Sequence, residues 1–352
     1  MTYVTATIPG LLLLAVVGAI TARSAFGRVV VYGGSMAFCA GVAVAGFEGL
    51  TNPIQHLLLP IGLPWIGTHL RLDALSGFFL IIVGLGGAAA SLFALGYGRH
   101  EEQPERVLPF YPAFLAGMTL VVVADDAFVF LFAWELMSLT SWGLVLAHHR
   151  EPGNRRAGFV YLIMATFSGL ALLLAFGLLA GAQGGYAFDT MRDAPPGSAI
   201  AAVVLIVALI GAGSKAGLAP LHVWLPLAHP AAPSHVSALM SGVMTKVAIY
   251  GFIRIVFDLL GPTQWWDGLR RLAPRRQRPQ QPRRRLRDLG NRCLKRFGIG
   301  RRRVGDAADL AHILPRRRRD LLGRRRRLES AQFGDVSAHP PTISRSSYAE
   351  VG

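Results

Sequence analysis

Long uncharged stretches recur along the first 245 residues of this chain. They occupy residues 1–22, 29–47, 74–98, 107–124, 157–188, 194–214 and 216–245. About 20 apolar residues cross the hydrocarbon core of a bilayer as one α-helix. Strands of a membrane barrel would instead show alternating segments of about ten residues, a pattern that we do not find here. The stretches therefore predict an all-α polytopic membrane protein.

The composition favours the same class and excludes several others. Hydrophobic residues make up 52% of the chain and charged residues 16%, whereas a soluble domain carries about 25% charged residues. The two cysteines, Cys39 and Cys293, are too few for the roughly four ligands of an iron–sulfur cluster or a structural zinc site. We therefore expect the chain to hold neither a cofactor nor a metal.

Eight transmembrane helices account for residues 1–262. We predict them at 4–22, 29–47, 74–97, 107–124, 127–147, 157–180, 197–219 and 235–258. The loops after the first, third and fifth helices carry seven arginines, namely Arg23, Arg28, Arg99, Arg106, Arg150, Arg155 and Arg156. The loops after the second, fourth and sixth carry only Arg71 and Arg192. Because basic residues concentrate in cytoplasmic loops, we predict a multi-pass protein of the cell inner membrane with its N-terminus outside.

One carboxylate and two lysines lie within the predicted helices, whereas nearly all arginines lie in loops or at helix ends. The carboxylate is Glu135 in the fifth helix, and the lysines are Lys215 in the seventh and Lys246 in the eighth. A charge at the bilayer centre costs about 2.5–3.5 kcal/mol even on the lenient insertion scale, so such residues are usually functional. The alternatives are a structural ion pair or a side chain that snorkels to the interface. Snorkelling is disfavoured for Glu135 and Lys246 because both lie far from their helix ends.

The seventh helix is predicted to break near Lys215. A glycine-rich segment, 211–217, precedes four prolines, Pro220, Pro226, Pro230 and Pro233, and proline removes a helical donor. Broken helices at membrane depth usually line a cavity. Three histidines, His222, His229 and His235, are interleaved with the prolines. They are candidates for relay or gating groups, or ordinary loop residues near the membrane surface; as a metal site the cluster is weak, since no carboxylate lies near it in the sequence.

Proton relay is the chemistry that uses one carboxylate and two lysines inside a membrane. Two unit charges about 10 Å apart, at an effective dielectric constant of about 20, interact by about 1.7 kcal/mol. Neutralising one site therefore changes whether the next site holds its proton. The residues predict proton handling, without giving its direction or its energy source.

Three stretches resemble a known family. They are WELMSLTSW at 134–142, GSKAGLAPLHVWLP at 213–226, and HPAAPSHVSALMSGVMTKVAIYGFIR at 229–254. Together they resemble the antiporter-like, proton-conducting membrane subunits shared by respiratory complex I, Mrp-type antiporters and group 4 hydrogenases. Two weaker stretches, 62–76 and 110–118, look most like the hydrogenase 4 and formate hydrogenlyase branch of this family.

The resemblance implies a role for each charged residue. Glu135 corresponds to the fifth-helix glutamate, Lys215 to the lysine of the broken seventh helix, and Lys246 to the eighth-helix lysine that leads toward the central hydrophilic axis. His222, His229 and His235 match relay or gating positions less closely. The family fold has about fourteen helices with two inverted five-helix repeats, and this chain matches only its first half, up to about residue 262. We therefore expect residues 1–262 to form a truncated family domain.

The resemblance also implies a function and partners. It favours a proton-translocating, non-redox subunit of a hydrogenase-4, formate hydrogenlyase or NADH-quinone oxidoreductase-like complex. Its partners would be other membrane subunits of that complex, the lipid bilayer and protons. Two alternatives stay open: a subunit of an Mrp-type cation/proton antiporter, and a truncated chain without function.

Residues 263–352 form an arginine-rich tail without an apolar span. Residues 1–260 contain 12 basic and 12 acidic residues, so the net charge of +16 lies in the tail. Such a segment could be disordered and bind anionic lipid or nucleic acid. It lacks the aromatic interleaving that suits base stacking, and the predicted topology places it outside. Arginine and proline have GC-rich codons, so we predict either a disordered tail or an out-of-frame product, and no nucleic-acid partner.

Overall fold

The computed structural model describes residues 1–63, 67–182 and 184–261. Within these residues, eight helices are long and apolar enough to cross a membrane. In chain order they are α1 (Thr2–Thr21), α2 (Ala25–Thr51), α3 (Ala74–His100), α4 (Pro104–Val123), α5 (Ala127–Val145), α6 (Pro152–Ala180), α7 (Ser198–Ala216) and α8 (Ser234–Leu259). The predicted all-α, eight-span, multi-pass architecture is confirmed. The arginine-rich tail and its predicted disorder lie outside the described residues.

Helix ends follow local capping rather than the limits of the apolar runs. The α2 helix begins four residues before the predicted start, because the Ser24 side chain accepts a hydrogen bond from the Gly27 amide at its N-terminus, a common N-cap arrangement. The α6 helix begins at Pro152, five residues early, with proline in its first turn, where the missing amide costs nothing. Hydropathy alone cannot detect either signal, since both involve polar or loop-type residues.

A β-hairpin that the apolar pattern does not predict joins α2 to α3. Strand β1 (Gln55–Leu63) pairs with β2 (Gly67–Leu72) in antiparallel register, with an irregularity between Leu59 and Leu63. Two short helices lie in other connections, Phe188–Asp193 between α6 and α7 and Leu225–Ala231 between α7 and α8. Leu70 of β2 also forms an isolated bridge with Ala124 at the end of α4. The hairpin, which is the connection between α2 and α3, is therefore bonded to the turn between α4 and α5.

The α4 helix is the centre of the bundle. Most of its side chains are buried, whereas α1 presents most of its surface outward. On the other side of the bundle, α2 and α3 pack with their backbones in contact. At Gly84, for example, a Cβ atom would overlap the Ala43 amide nitrogen and the Cys39 carbonyl oxygen. Small residues permit such close helix contacts in membranes.

The last span, α8, is not a regular α-helix. It begins as α-helix (Ser234–Leu239), passes through a π-helical turn (Met240–Met244), resumes as α-helix (Thr245–Ile253) and ends in a second π-turn (Arg254–Leu259). The apolar pattern predicts one continuous helix over 235–258. Turns of π-helix are rare and frequently occur at functional sites, and Lys246 follows the first of these turns by two residues.

Candidate functional site

The α7 helix ends at Ala216, one residue after Lys215. Gly217 adopts a left-handed conformation with φ of 77°, which glycine reaches without steric cost. The carbonyls of the last turn keep partners: the Leu218 amide donates to Gly213 (2.9 Å) and the indole Nε1 of Trp224 donates to Ser214 (2.8 Å). Thus the predicted break is confirmed, and Lys215 lies at a helix C-terminus, where the helix dipole stabilises a cation.

Lys215 lies among hydroxyl groups in the interior of the bundle. Its side chain is 2% exposed. Its Nζ donates to Ser138 Oγ on α5 (2.9 Å) and to Tyr161 Oη on α6 (2.8 Å). The Tyr161 hydroxyl also contacts Ser141 Oγ at 2.6 Å. Uncharged oxygens thus stabilise the amine, and we call Lys215, Ser138, Ser141 and Tyr161 the hydroxyl cluster.

Glu135 occupies a notch in the facing helix. A Cβ atom at Gly169 of α6 would overlap Glu135 Oε1, so the carboxylate lies directly against the glycine backbone. The side chain is half-buried. The charges of Glu135 and Lys215 interact electrostatically, yet within the described residues the two groups form no ion pair within 4.0 Å. The carboxylate and the amine are therefore neighbours with a gap between them.

The register of α5 against α6 explains this arrangement. Glu135 contacts Gly169, whereas six residues later Ser141 contacts Tyr161, eight residues earlier on α6. Two antiparallel helices give this pairing, and it places Ser138 midway between the two contacts. Residues three apart on a helix share a face, so Glu135 and Ser138 both face α6 and α7.

Lys246 is not part of the hydroxyl cluster. Its side chain is half-buried, and its Nζ donates to the Ser241 carbonyl (2.9 Å) and to Thr245 Oγ1 (3.3 Å) on its own helix. A contact between Tyr161 Oη and Met244 Sδ, at 3.6 Å, joins the cluster to the π-turn that precedes Lys246. A residue that binds Lys215 is therefore in contact with the helical turn that precedes Lys246.

The three histidines occupy three different environments. His235 is buried, its Nε2 lies 3.4 Å from Tyr32 Oη, and its ring contacts the rings of Tyr32, Tyr97 and Tyr111. His229, outside the spans, shares a hydrogen bond with Ser237 Oγ at 2.9 Å, and burial lowers its pKa. His222 is exposed in the turn after α7. The structure therefore does not bring them together as one group.

The hydroxyl side chains of the site were not predicted from the sequence. A signal exists for two of them, since Ser138 and Ser141 follow Glu135 at intervals of three residues and so share its side of α5. Tyr161 gives no such signal, because an aromatic residue in an apolar helix is normally a packing residue. Only the pairing of α5 with α6 shows that its hydroxyl reaches the lysine.

A second cluster of charges, also not predicted, lies where α3 begins and α8 ends. Arg254, 3% exposed, forms two hydrogen bonds with Asp73, Nη1 to Oδ2 (2.7 Å) and Nη2 to Oδ1 (2.9 Å), and a third with Asp258 (2.9 Å). Arg192 donates to Asp258 and Asp125. We call these five residues, with Arg71 and Asp189, the ion-pair network. His56, Asp125 and Asp189 bring ligand-type atoms within 4.8 Å of one another, but Arg71 and Arg192 contact the same carboxylates and oppose a cation there.

Comparison with known proteins gives one family match and several relatives that each cover part of the chain. The family described as NADH:quinone oxidoreductase/Mrp antiporter, TM, matches residues 124–269. An uncharacterised protein of Mycobacterium tuberculosis is 42% identical over 234 residues, which cover 66% of this chain and 36% of that protein. Hydrogenase-4 component B of Escherichia coli is 40% identical over 202 residues, which cover 56% of this chain and 30% of that protein.

A solved structure shows the same fold. A chain of the Mrp complex from Dietzia sp. DQ12-45-1b superposes with a TM-score of 0.62 at 25% identity, covering 73% of this chain and 29% of that chain. The matched part spans about a third of the length of each of these relatives. Residues 124–269 include every charged residue and histidine predicted for the site. Over this part of its length, the chain belongs to the NADH:quinone oxidoreductase/Mrp antiporter membrane family.

Proposed function

We propose that this chain is a proton-translocating membrane subunit of a hydrogenase-4, formate hydrogenlyase or NADH-quinone oxidoreductase-like complex. Its partners are then other membrane subunits, and the redox centres of the complex lie outside this chain. One observation carries the proposal: a buried lysine held by neutral hydroxyls, close to a carboxylate with which it is not paired. A lysine with a fixed ion-pair partner holds its charge, whereas one held by hydroxyls is free to gain and lose a proton as the neighbouring charge changes.

Glu135, Lys215 and Lys246 carry the protons in this proposal. Glu135 and Lys215 form the coupled pair, and Lys246 takes the proton further along α8, where its amine donates to the Ser241 carbonyl of the π-turn. His235 and His229 each present one buried ring nitrogen that has no hydrogen-bond partner among the described residues. These nitrogens support their assignment as relay groups on the α8 side. His222, which is exposed, is the weakest of the six assignments.

The experiment measures proton uptake by membrane vesicles that contain the assembled complex, energised through its electron donor. Glu135→Gln, Lys215→Ala and Lys246→Ala should each reduce uptake by about a hundredfold, the lower end of the range expected when a positioned acid–base group is lost. Glu105→Gln is the matched control, because Glu105 is exposed in the first turn of α4. Immunoblots should show equal insertion of all variants. Wild-type uptake by the three site variants would contradict the proposal.

An Mrp-type cation/proton antiporter subunit is the second candidate, and the fold shared with the Mrp complex structure favours it. The same vesicles distinguish the two. With an imposed pH gradient and no electron donor, an antiporter collapses the gradient only when Na⁺ or K⁺ is added. A redox-driven subunit builds a gradient only when the electron donor is supplied.

A further inference from the structure

The four members of the hydroxyl cluster have different hydrogen-bonding capacities. The Ser141 hydroxyl lies 2.6 Å from the Met137 carbonyl, to which it donates its proton. It can then only accept from Tyr161, 2.6 Å away. The Tyr161 hydroxyl accepts from Lys215 and donates its one proton to Ser141 or to Met244 Sδ. This branch therefore ends at a backbone carbonyl or at a thioether, and neither has a proton to pass on, so the branch fixes the position of the amine and cannot conduct.

Ser138 differs from its neighbours on α5. Thr140 and Ser141 donate to the carbonyls of the preceding turn, as hydroxyl side chains in helices commonly do. Ser138 makes no such bond within the described residues; its Oγ accepts from Lys215 instead, at 2.9 Å. The residue is 2% exposed. Its hydroxyl proton is therefore directed away from the helix backbone and is available to another acceptor.

The Glu135 carboxylate is the base that lies nearest along the same face. It precedes Ser138 by three residues, which corresponds to about 4.5 Å along the helix axis. Gly169 holds it on the side of α5 that faces α6, the helix that also supplies Tyr161. Ser138 is therefore a hydroxyl that contacts Lys215 from the same face of α5 that carries Glu135.

We infer that Ser138 is the relay residue through which the proton passes between Lys215 and Glu135, while the Tyr161–Ser141 branch only anchors the lysine. This inference rests on the proposed function. In the transfer, an Nζ–H bond of Lys215 breaks as an O–H bond forms on Ser138. The original Oγ–H bond breaks as the carboxylate gains a proton, directly or through one water. The ammonium and carboxylate become amine and carboxylic acid, and Ser138 is unchanged.

The test compares variants of equal shape. Threonine and valine at position 138 have the same outline, but only threonine keeps a hydroxyl. In vesicles with the assembled complex, Ser138→Thr should retain most of the proton uptake, and Ser138→Val should lower it by about tenfold or more. Ser138→Val should also show a larger slowing in D₂O, which a purely structural defect would not give. Ser141→Ala, on the anchoring branch, should lower uptake less than Ser138→Val and should leave the slowing in D₂O at the wild-type value. Thr140→Val is the matched control that should keep the wild-type rate, because the Thr140 hydroxyl donates only to carbonyls of its own helix.

Each contrary result has a separate meaning. Equal uptake by Ser138→Thr and Ser138→Val, together with an inactive Lys215→Ala, would overturn the inference and leave the proposed function standing. A Ser141→Ala loss as large as that of Ser138→Val would also overturn the inference, since both branches would then act alike. Wild-type uptake by Lys215→Ala would overturn the proposed function itself.

Discussion

Gly169 leaves the space that the Glu135 carboxylate occupies, because any Cβ atom at that position would overlap Glu135 Oε1. We predict that Gly169→Ala forces the carboxylate out of its notch and lowers proton uptake several-fold. Gly177→Ala, two turns further along α6, should have no effect, since a Cβ atom there meets nothing within 4 Å. Both changes replace a helical glycine with alanine, so helix propensity affects them equally.

The shorter aspartate provides a second control for this prediction. Combining Gly169→Ala with Glu135→Asp should restore part of the uptake, because the side chain loses one methylene where the alanine adds a methyl group. Equal rates for Gly169→Ala, Gly177→Ala and the wild-type chain would show that the notch has no role. A double variant slower than both single variants would show that the alanine methyl group and the Glu135 side chain do not compete for the same space.

Single charged residues in apolar runs are readily found in a sequence, whereas their partners are not. Glu135, Lys215 and Lys246 stand out because a charge in a membrane helix is costly. Ser138 and Tyr161 do not stand out, since serine and tyrosine are tolerated in apolar helices for many reasons. Their role depends on helix pairing, which places residues 54 and 77 positions from Lys215 within 3 Å of it. Sequence spacing within one helix contains no information on that pairing.

Between whole elements, the Asp73–Arg254 pair links the start of α3 to the end of α8. Burial alone would raise the pKa of the Asp73 carboxyl. The hydrogen bond and charge of Arg254, with the Ser76 amide and Arg71, hold that pKa well below its usual range. The carboxylate therefore stabilises the fold fully above the pKa of about 3.9 found in unfolded chains. That stabilisation is lost as the pH falls through the lower pKa of the folded state.

We predict that Asp73→Asn lowers the thermal unfolding midpoint of the detergent-solubilised protein at pH 7, because Arg254 keeps its charge and loses its closest partner. Asp193→Asn, at an exposed carboxylate, is the matched control and should change the midpoint little. The difference between wild-type protein and Asp73→Asn should shrink as the pH is lowered below about 4. A difference that stays constant from pH 7 to pH 3 would show that the Asp73 charge does not hold the two helices together.

The elements themselves divide into those that hydropathy predicts and those that it does not. Eight helices follow from the apolar runs, and the break after Lys215 follows from glycine and proline. The hairpin at Gln55–Leu72 does not follow, because its β1 strand contains three consecutive leucines and one proline and has no regular alternation. The π-turns of α8 also leave no sequence signal, since they change hydrogen bonding and not composition.

At the scale of the whole molecule, the two ends of the bundle differ in how their arginines are used. Arg71, Arg192 and Arg254 lie at the end formed by the hairpin, the α4–α5 turn and the end of α8, and all three are ion-paired. The seven arginines of the opposite loops form no ion pair within the described residues. The orientation rule counts lysines and arginines in the loops and does not depend on net charge, so acidic partners do not change it. The predicted orientation therefore rests on the count of seven arginines against Arg71 and Arg192.

We predict on this basis that the N-terminus lies outside and the loop at residues 148–156 lies in the cytoplasm. After Cys39 and Cys293 are replaced by serine, single cysteines are introduced by Pro152→Cys and Tyr186→Cys, at two exposed positions. A membrane-impermeant maleimide added to intact cells or spheroplasts should label position 186 and should reach position 152 only after the membrane is permeabilised. Labelling of position 152 alone in intact cells would show that the topology is the reverse of the predicted one. It would also place the ion-pair network on the cytoplasmic side.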